Sequence, residues 1–113
     1  MDNAQIFKAL ADRSRLRILR MLNIRPLCVC EIREILGLAT STVSQHLALL
    51  RHAGFIYDIK DNKWVDYHLN RQSNDTMVHS LLQVILSNAL DDDIYKKDAA
   101  EVRTVDRNAL CRL

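Results

Sequence analysis

Two glycines and one proline among 113 residues leave this chain almost without helix breakers. It has no Gly-rich loop to cradle a phosphate and no Ser/His/Asp arrangement for nucleophilic catalysis. Cys-x-x-Cys is absent, as is a βαβ pattern, so a small dithiol oxidoreductase finds no support. No run of about 18 uncharged apolar residues occurs, which excludes a transmembrane helix. The opening "MDNAQIFKALADRSR" lacks the basic-then-apolar layout of a secretory signal, so we expect a cytoplasmic protein with no membrane partner. Aromatics are scarce, at 5%. Three cysteines are a small and odd set for a disulfide framework, leaving metal binding, redox sensing or packing as their uses.

What remains is apolar (49%) and charged (27%), the profile of a helix-rich globular protein. One domain of this length sits near the lower end of the comfortable range, and a dimer would bury more. The net charge of +2 is unevenly spread: residues 1–71 hold eleven Lys/Arg against seven Asp/Glu (+4), and residues 72–113 hold five against seven (−2). The front two-thirds therefore suits a polyanion, provided its cations share a face.

Ile6, Phe7 and Leu10 give a first helix over roughly 3–11. In "DRSRLRILRMLNI", Leu16, Ile18, Leu19 and Leu22 make the stripe of a second, with Asp12 or Ser14 as its cap and Pro26 as its stop. "CEIREILGL" reads as a short third helix ending at Gly37. Thr40 or Ser41 opens a fourth, "STVSQHLALLRHAG", with Val43, Leu47 and Leu50 inward and Gly54 terminating it. Two short helices joined by a tight Gly-containing turn are a helix-turn-helix signature.

After Gly54 the period changes to two. "FIYDIK" and "KWVDYHL" form a hairpin with Asp61-Asn62 as the expected loop, Ile56, Val65, Tyr67 and Leu69 on one face and Phe55, Tyr57, Ile59 and Trp64 on the other. Residues 75–90 are a strong helix whose stripe, Val78, Leu81, Leu82, Ile85, Leu86 and Ala89, is too broad for one small core and calls for a partner helix. The expected fold is mainly α with a β-hairpin (α+β), a winged helix-turn-helix in the order α-α-α-α-β-β-α. Residues 1–90 form its DNA-binding and dimerisation domain, and 91–113 a C-terminal tail carrying Cys111, whose acidic start could cap a further helix.

In that fold the second helix of the pair enters the DNA major groove. Thr40, Ser41, Thr42, Ser44 and Gln45 lie near the outward N-terminal end of the fourth helix. There short hydroxyls and helix N–H groups suit phosphate, and Gln45 suits the N6/N7 edge of adenine. Arg51, Lys60 and Lys63 add cations from the helix end and the wing. His46 has two readings, a DNA contact or a packing and helix–helix hydrogen-bond residue. His52, His68 and His79 are read as structural.

The order "ALADRSRLRIL", "LCVCEI", "STVSQHLALLRHAG" and "WVDYHL" resembles the ArsR/SmtB family of metal-sensing repressors over about residues 4–90. That resemblance implies a homodimer paired through its first and last helices, hence through Ile6, Phe7, Leu10, Val78, Leu81, Leu82, Ile85 and Ala89. It also implies a repressor that releases operator DNA when its inducer binds.

"LCVCEI" is similar to the family's arsenic-responsive branch, which implies As(III) or Sb(III) as inducer and no organic cofactor. Physics points the same way: a helix N-terminus lowers a thiol's pKa, and soft thiolates favour thiophilic metals and metalloids. Residues i and i+2 stand about 200° apart on a helix, so Cys28 and Cys30 cannot both grip one ion on an undistorted one. Chelation should therefore deform the helix start and disturb the recognition helix that follows. Many such relatives have a third cysteine shortly after the pair, where this chain has Arg33. A three-sulfur site then needs Cys111, from the same or the partner subunit; otherwise a two-coordinate site suits a monomethylated trivalent arsenical. A redox- or sulfide-sensing repressor of the same fold is the alternative, with Cys111 again the plausible thiol partner. Zinc or cadmium sensing is less supported, since zinc usually takes four ligands and the last helix offers only His79.

Overall fold

Asp2 opens the first helix, α1 (Asn3–Leu10), by a capping box: it accepts from the Gln5 N–H at 2.8 Å, while Gln5 Oε1 accepts from the Asp2 N–H at 2.9 Å. Asp12 caps α2 (Arg13–Ile24) through the Arg15 N–H at 3.0 Å, as expected, and the chain turns extended at Arg25 before Pro26. Then follow α3 (Val29–Leu36), α4 (Thr40–His52), β1 (Ile56–Asp61), β2 (Trp64–Leu69), α5 (Thr76–Ser87), α6 (Asp93–Thr104) and α7 (Arg107–Leu110). The computed structural model describes residues 1–87 and 93–110.

The α3–α4 turn needs a residue in the left-handed region, and Gly37 supplies it at φ +69°. One core cluster unites Ile18, Leu19 and Leu22 of α2, Ile32 and Ile35 of α3, Val43, Leu47 and Leu50 of α4, Phe55 just before β1, and Ile56 and Leu69 of the hairpin. Each such side chain contributes about 1.5–3 kcal/mol by leaving water, enough to hold the helix-turn-helix rigid beneath its exposed face. This is a winged helix.

In the antiparallel hairpin Ile56 pairs with Leu69 and Asp61 with Trp64. The loop is therefore Asn62-Lys63 rather than Asp61-Asn62, because Asn62 takes the left-handed φ of +55°. This shifts each cross-strand partner by two residues, which leaves the expected faces intact. Leu27, just before α3, joins β2 as an isolated bridge: its N–H donates to the Tyr67 carbonyl at 3.3 Å, and the Tyr67 N–H donates back at 2.8 Å.

Within the stretch 91–113, expected as a tail able to open a further helix, the described residues 93–110 form α6 and α7. α6 packs on α2 and α3 with Ala99 and Val102 buried, and α7 packs on α3. Among the described residues no helix is long and apolar enough to cross a membrane.

Candidate nucleic-acid interface and thiol site

Val43, Leu47 and Leu50 hold α4 to the core, so its opposite face looks outward. Thr40, Ser41, Ser44 and Gln45 are exposed there and Thr42 is half-buried. The helix is entered at Ala39, with no side-chain cap, so neither Thr40 nor Ser41 is consumed in capping as the sequence suggested. The first-turn N–H groups and these hydroxyls form one polar end, the composition that grips DNA phosphate.

His46 makes the helix–helix hydrogen bond of its second reading. Arg15 of α2 donates to its Nδ1 at 3.0 Å, while Arg15 Nε donates to the Ala9 carbonyl at 2.6 Å. The half-buried imidazole thus ties α4 to α2 and, through Arg15, to α1. Arg51 is exposed but pairs with Asp58 of β1 at 3.5 Å, bracing the wing's base. Lys60 and Lys63 are exposed on the wing, Lys63 with its Nζ 5.2 Å from the centre of the Trp64 ring.

At the other end of α3, Cys28 is the N-cap, with extended backbone (φ −92°, ψ 170°), and Cys30 sits within the first turn. The two are therefore not both on a regular helix, as the spacing argument assumed. Cys28 is a free thiol only 3% exposed. Burial pushes that thiol up, helped by the nearby Glu31 carboxylate and opposed by the N–H groups of Glu31 and Cys30. The lowering expected at a helix N-terminus is overturned, since desolvation of a buried thiolate outweighs the N–H groups facing it. Cys30 is half-buried and disulfide-bonded. Cys111 lies outside the described residues, as does Ala89. Among the described residues no group of three or more His, Cys, Asp or Glu could hold a metal ion.

Glu31 escaped the sequence reading. It is buried, and its Oε1 accepts from the Cys28 N–H at 3.0 Å while its Oε2 accepts from Arg25 at 3.1 Å. Arg25 also donates to the Val102 carbonyl at 3.1 Å and the Val105 carbonyl at 3.0 Å, fastening the end of α6. The spacing of a capping box, an acid three residues after the cap, was the signal available for Glu31; the reach of Arg25 across 80 residues had none.

The residues expected at a dimer interface separate into two sets. Ile6, Leu10, Val78 and Leu82 are buried in the protomer's own core, because α1 and α5 each turn one edge inward. Phe7 (53% exposed) remains at the surface, as on α5 does Val84 (55%), while Leu81 and Ile85 are half-buried.

A family model described as "Bacterial regulatory protein, arsR family" matches residues 12–58, from the cap of α2 into β1. The arsenical resistance operon repressor of Escherichia coli K12 is 45% identical over 67 residues, 58% of this chain and 57% of that protein. The arsenic resistance transcriptional regulator ArsR2 of Pseudomonas putida KT2440 is 39% identical over 82 residues, 72% of this chain and 70% of that one. Among solved structures, reduced HlyU from Vibrio cholerae N16961 is 35% identical with a TM-score of 0.61, over 73% of this chain and 82% of that chain. The match thus spans little more than half of the E. coli relative's length.

Proposed function

Because the chain belongs to the arsR family of bacterial regulatory proteins, we propose that it is a homodimeric transcriptional repressor. It binds operator DNA through α4 and the wing and, with the Cys30 disulfide reduced, releases it when trivalent arsenic or antimony binds the thiols of Cys28 and Cys30. The observation that carries this reading is the location of Cys28. It caps α3, which leads through one tight turn into α4, and its neighbour Leu27 is bridged to Tyr67 in the wing. Thiol chemistry at this point touches both DNA-facing elements.

Thr40, Ser41, Ser44 and Gln45 meet the major groove, with Thr42 at the edge of that surface, and Lys60 and Lys63 meet flanking phosphate. Phe7, Leu81, Val84 and Ile85 join the protomers. Cys28 is buried and its N–H is held by Glu31, so a metalloid that takes its sulfur has to lift the N-cap residue out of the core. Glu31 then loses its N–H donor and α3 its starting turn. Inducer and DNA therefore oppose each other reciprocally, by about 5–150-fold in affinity. Cys111 is the third sulfur when the bound species takes three.

A second reading, thiol oxidation as the signal, is favoured by the disulfide at Cys30 beside a free Cys28 and by the likeness to a regulator described in its reduced form. Release of labelled promoter DNA, followed by fluorescence anisotropy, tests both. Reduced protein should release DNA with arsenite, antimonite or methylarsenite and should lose that response as Cys28→Ser or Cys30→Ser. Release by peroxide or polysulfide alone, with a matching mass change, selects the redox reading. Indifference to every one of these agents removes the thiol site as a sensor.

A further inference from the structure

The tip of the wing is held by α7. Arg107 Nη1 donates to Asp66 at 2.7 Å, its Nη2 donates to Asp61 at 3.4 Å, and its guanidinium carbon lies 4.8 Å from the centre of the Trp64 ring. Asp61, Trp64 and Asp66 share the hairpin face opposite Ile56 and Leu69, so the core does not cover them. Trp64 is nevertheless only 8% exposed, beside the loop of a two-stranded ribbon. A lone hairpin is marginal in water and needs something to pack against. Leu27 secures the middle of β2, and Arg107 secures the tip.

The other side of the strap reaches the thiol helix. α7 packs on α3, and the backbone just before it is gripped by Arg25 through the carbonyls of Val102 and Val105. Arg25 is in turn bonded to Glu31, which holds the Cys28 N–H. One continuous polar path therefore runs from the Cys28 backbone through Glu31, Arg25 and the α6–α7 junction to Arg107 and the wing. Arg107 also balances the charge of two carboxylates, Asp61 and Asp66, on the wing that carries Lys60 and Lys63.

We propose that Arg107 is a wing-positioning residue, the catch of a C-terminal strap that sets the hairpin for DNA and links its posture to the start of α3. Its consequence for DNA rests on the repressor reading, but the strap itself does not. Trp64 is the sole tryptophan, so its emission reports the catch without DNA. In full-length protein, Arg107→Ala should red-shift that emission, increase its quenching by iodide, and weaken operator binding about tenfold, within the range of known couplings. Arg107→Lys should restore part of both, because an ammonium keeps the charge and loses the fork. Asp66→Asn should weaken the catch in the same direction. Lys97→Ala, which removes the exposed pair with Glu101 at 3.7 Å on α6 but leaves the wing contacts in place, should do neither. Circular dichroism and thermal melts identify variants that have simply unfolded, and for these the Asp66→Asn and Arg107→Lys data decide. An Arg107→Ala protein that is folded, with Trp64 emission and operator affinity unchanged, overturns the proposal. Wild-type protein that ignores the operator overturns the repressor reading instead, and Trp64 emission then decides the strap alone.

Discussion

Asp98 of α6, 3% exposed, accepts two hydrogen bonds from the guanidinium of Arg17 on α2, each at 2.9 Å. This two-pronged pair fastens α6 to α2 across 81 residues of sequence. Asp98→Ala should destabilise the protein by about 3 kcal/mol, the lower end for breaking a buried pair, since the Arg17 side chain keeps some contact with water. Replacing both partners with leucine should cost less than Asp98→Ala alone. Urea unfolding of the two variants checks this ordering, and equal losses would contradict it.

Asp12 supplies a pH dependence. Burial works to raise its pKa, but the N–H groups of Arg15 and Ser14 and the charges of Arg15 and His46 outweigh it, leaving the carboxyl below its ordinary value of 3.8. A folded-state pKa lowered in this way contributes stability at pH above that ordinary value, lost as pH falls through the lower folded one. Asp12→Ala should cost about 1 kcal/mol at neutral pH as a lost helix cap. The gap between wild type and variant should close in acid, as melts over a pH series would report.

Cys28 has the opposite sign. Its folded pKa is raised above the ordinary 9.0, chiefly by burial, so its contribution to stability is complete below that value and is lost as pH rises through the folded one. Iodoacetamide should label Cys28 slowly at neutral pH in native protein and rapidly in urea, with mass spectrometry identifying the site. Fast native labelling would show that the N-cap opens readily. Such opening would remove the barrier that inducer binding has to overcome.

Gln45 and His46 are neighbours with different expected phenotypes. Gln45→Ala should lose about 1–3 kcal/mol of discrimination at one operator position while leaving stability nearly unchanged. His46→Ala should cost about 1 kcal/mol of stability through the lost Arg15 bond and should leave base preference alone. Thermal melts combined with binding to a panel of single-base operator variants separate the two. A change of base preference on replacing His46 would return it to the groove.

Much of the architecture was legible because local rules govern it. The 3.6-residue stripe of Val43, Leu47 and Leu50 predicted which face of the fourth helix is buried, and Gly37 marked where the turn must go left-handed. The change to alternation after Gly54 predicted the hairpin and its two faces. It missed the loop by one residue, because Asp61 and Asn62 tolerate positive φ alike and only the pairing of Asp61 with Trp64 chooses between them. The cysteine pair was visible at the head of the third helix. That one sulfur would be sealed in the core was not, since exposure depends on what the rest of the chain lays over it.

The sequence by itself determined the first five helices, the Asp12 cap, the wing and the outward polar end of α4, because each depends on neighbours within a few positions along the chain. Only the tertiary structure decided that His46 bonds Arg15, that Asp98 locks Arg17, that Glu31 and Arg25 stand behind Cys28, and that Arg107 reaches the wing. Each of those contacts joins residues brought together by core packing. A polar side chain's partner is set by which surfaces the buried apolar residues press together, and that information belongs to the folded chain as a whole.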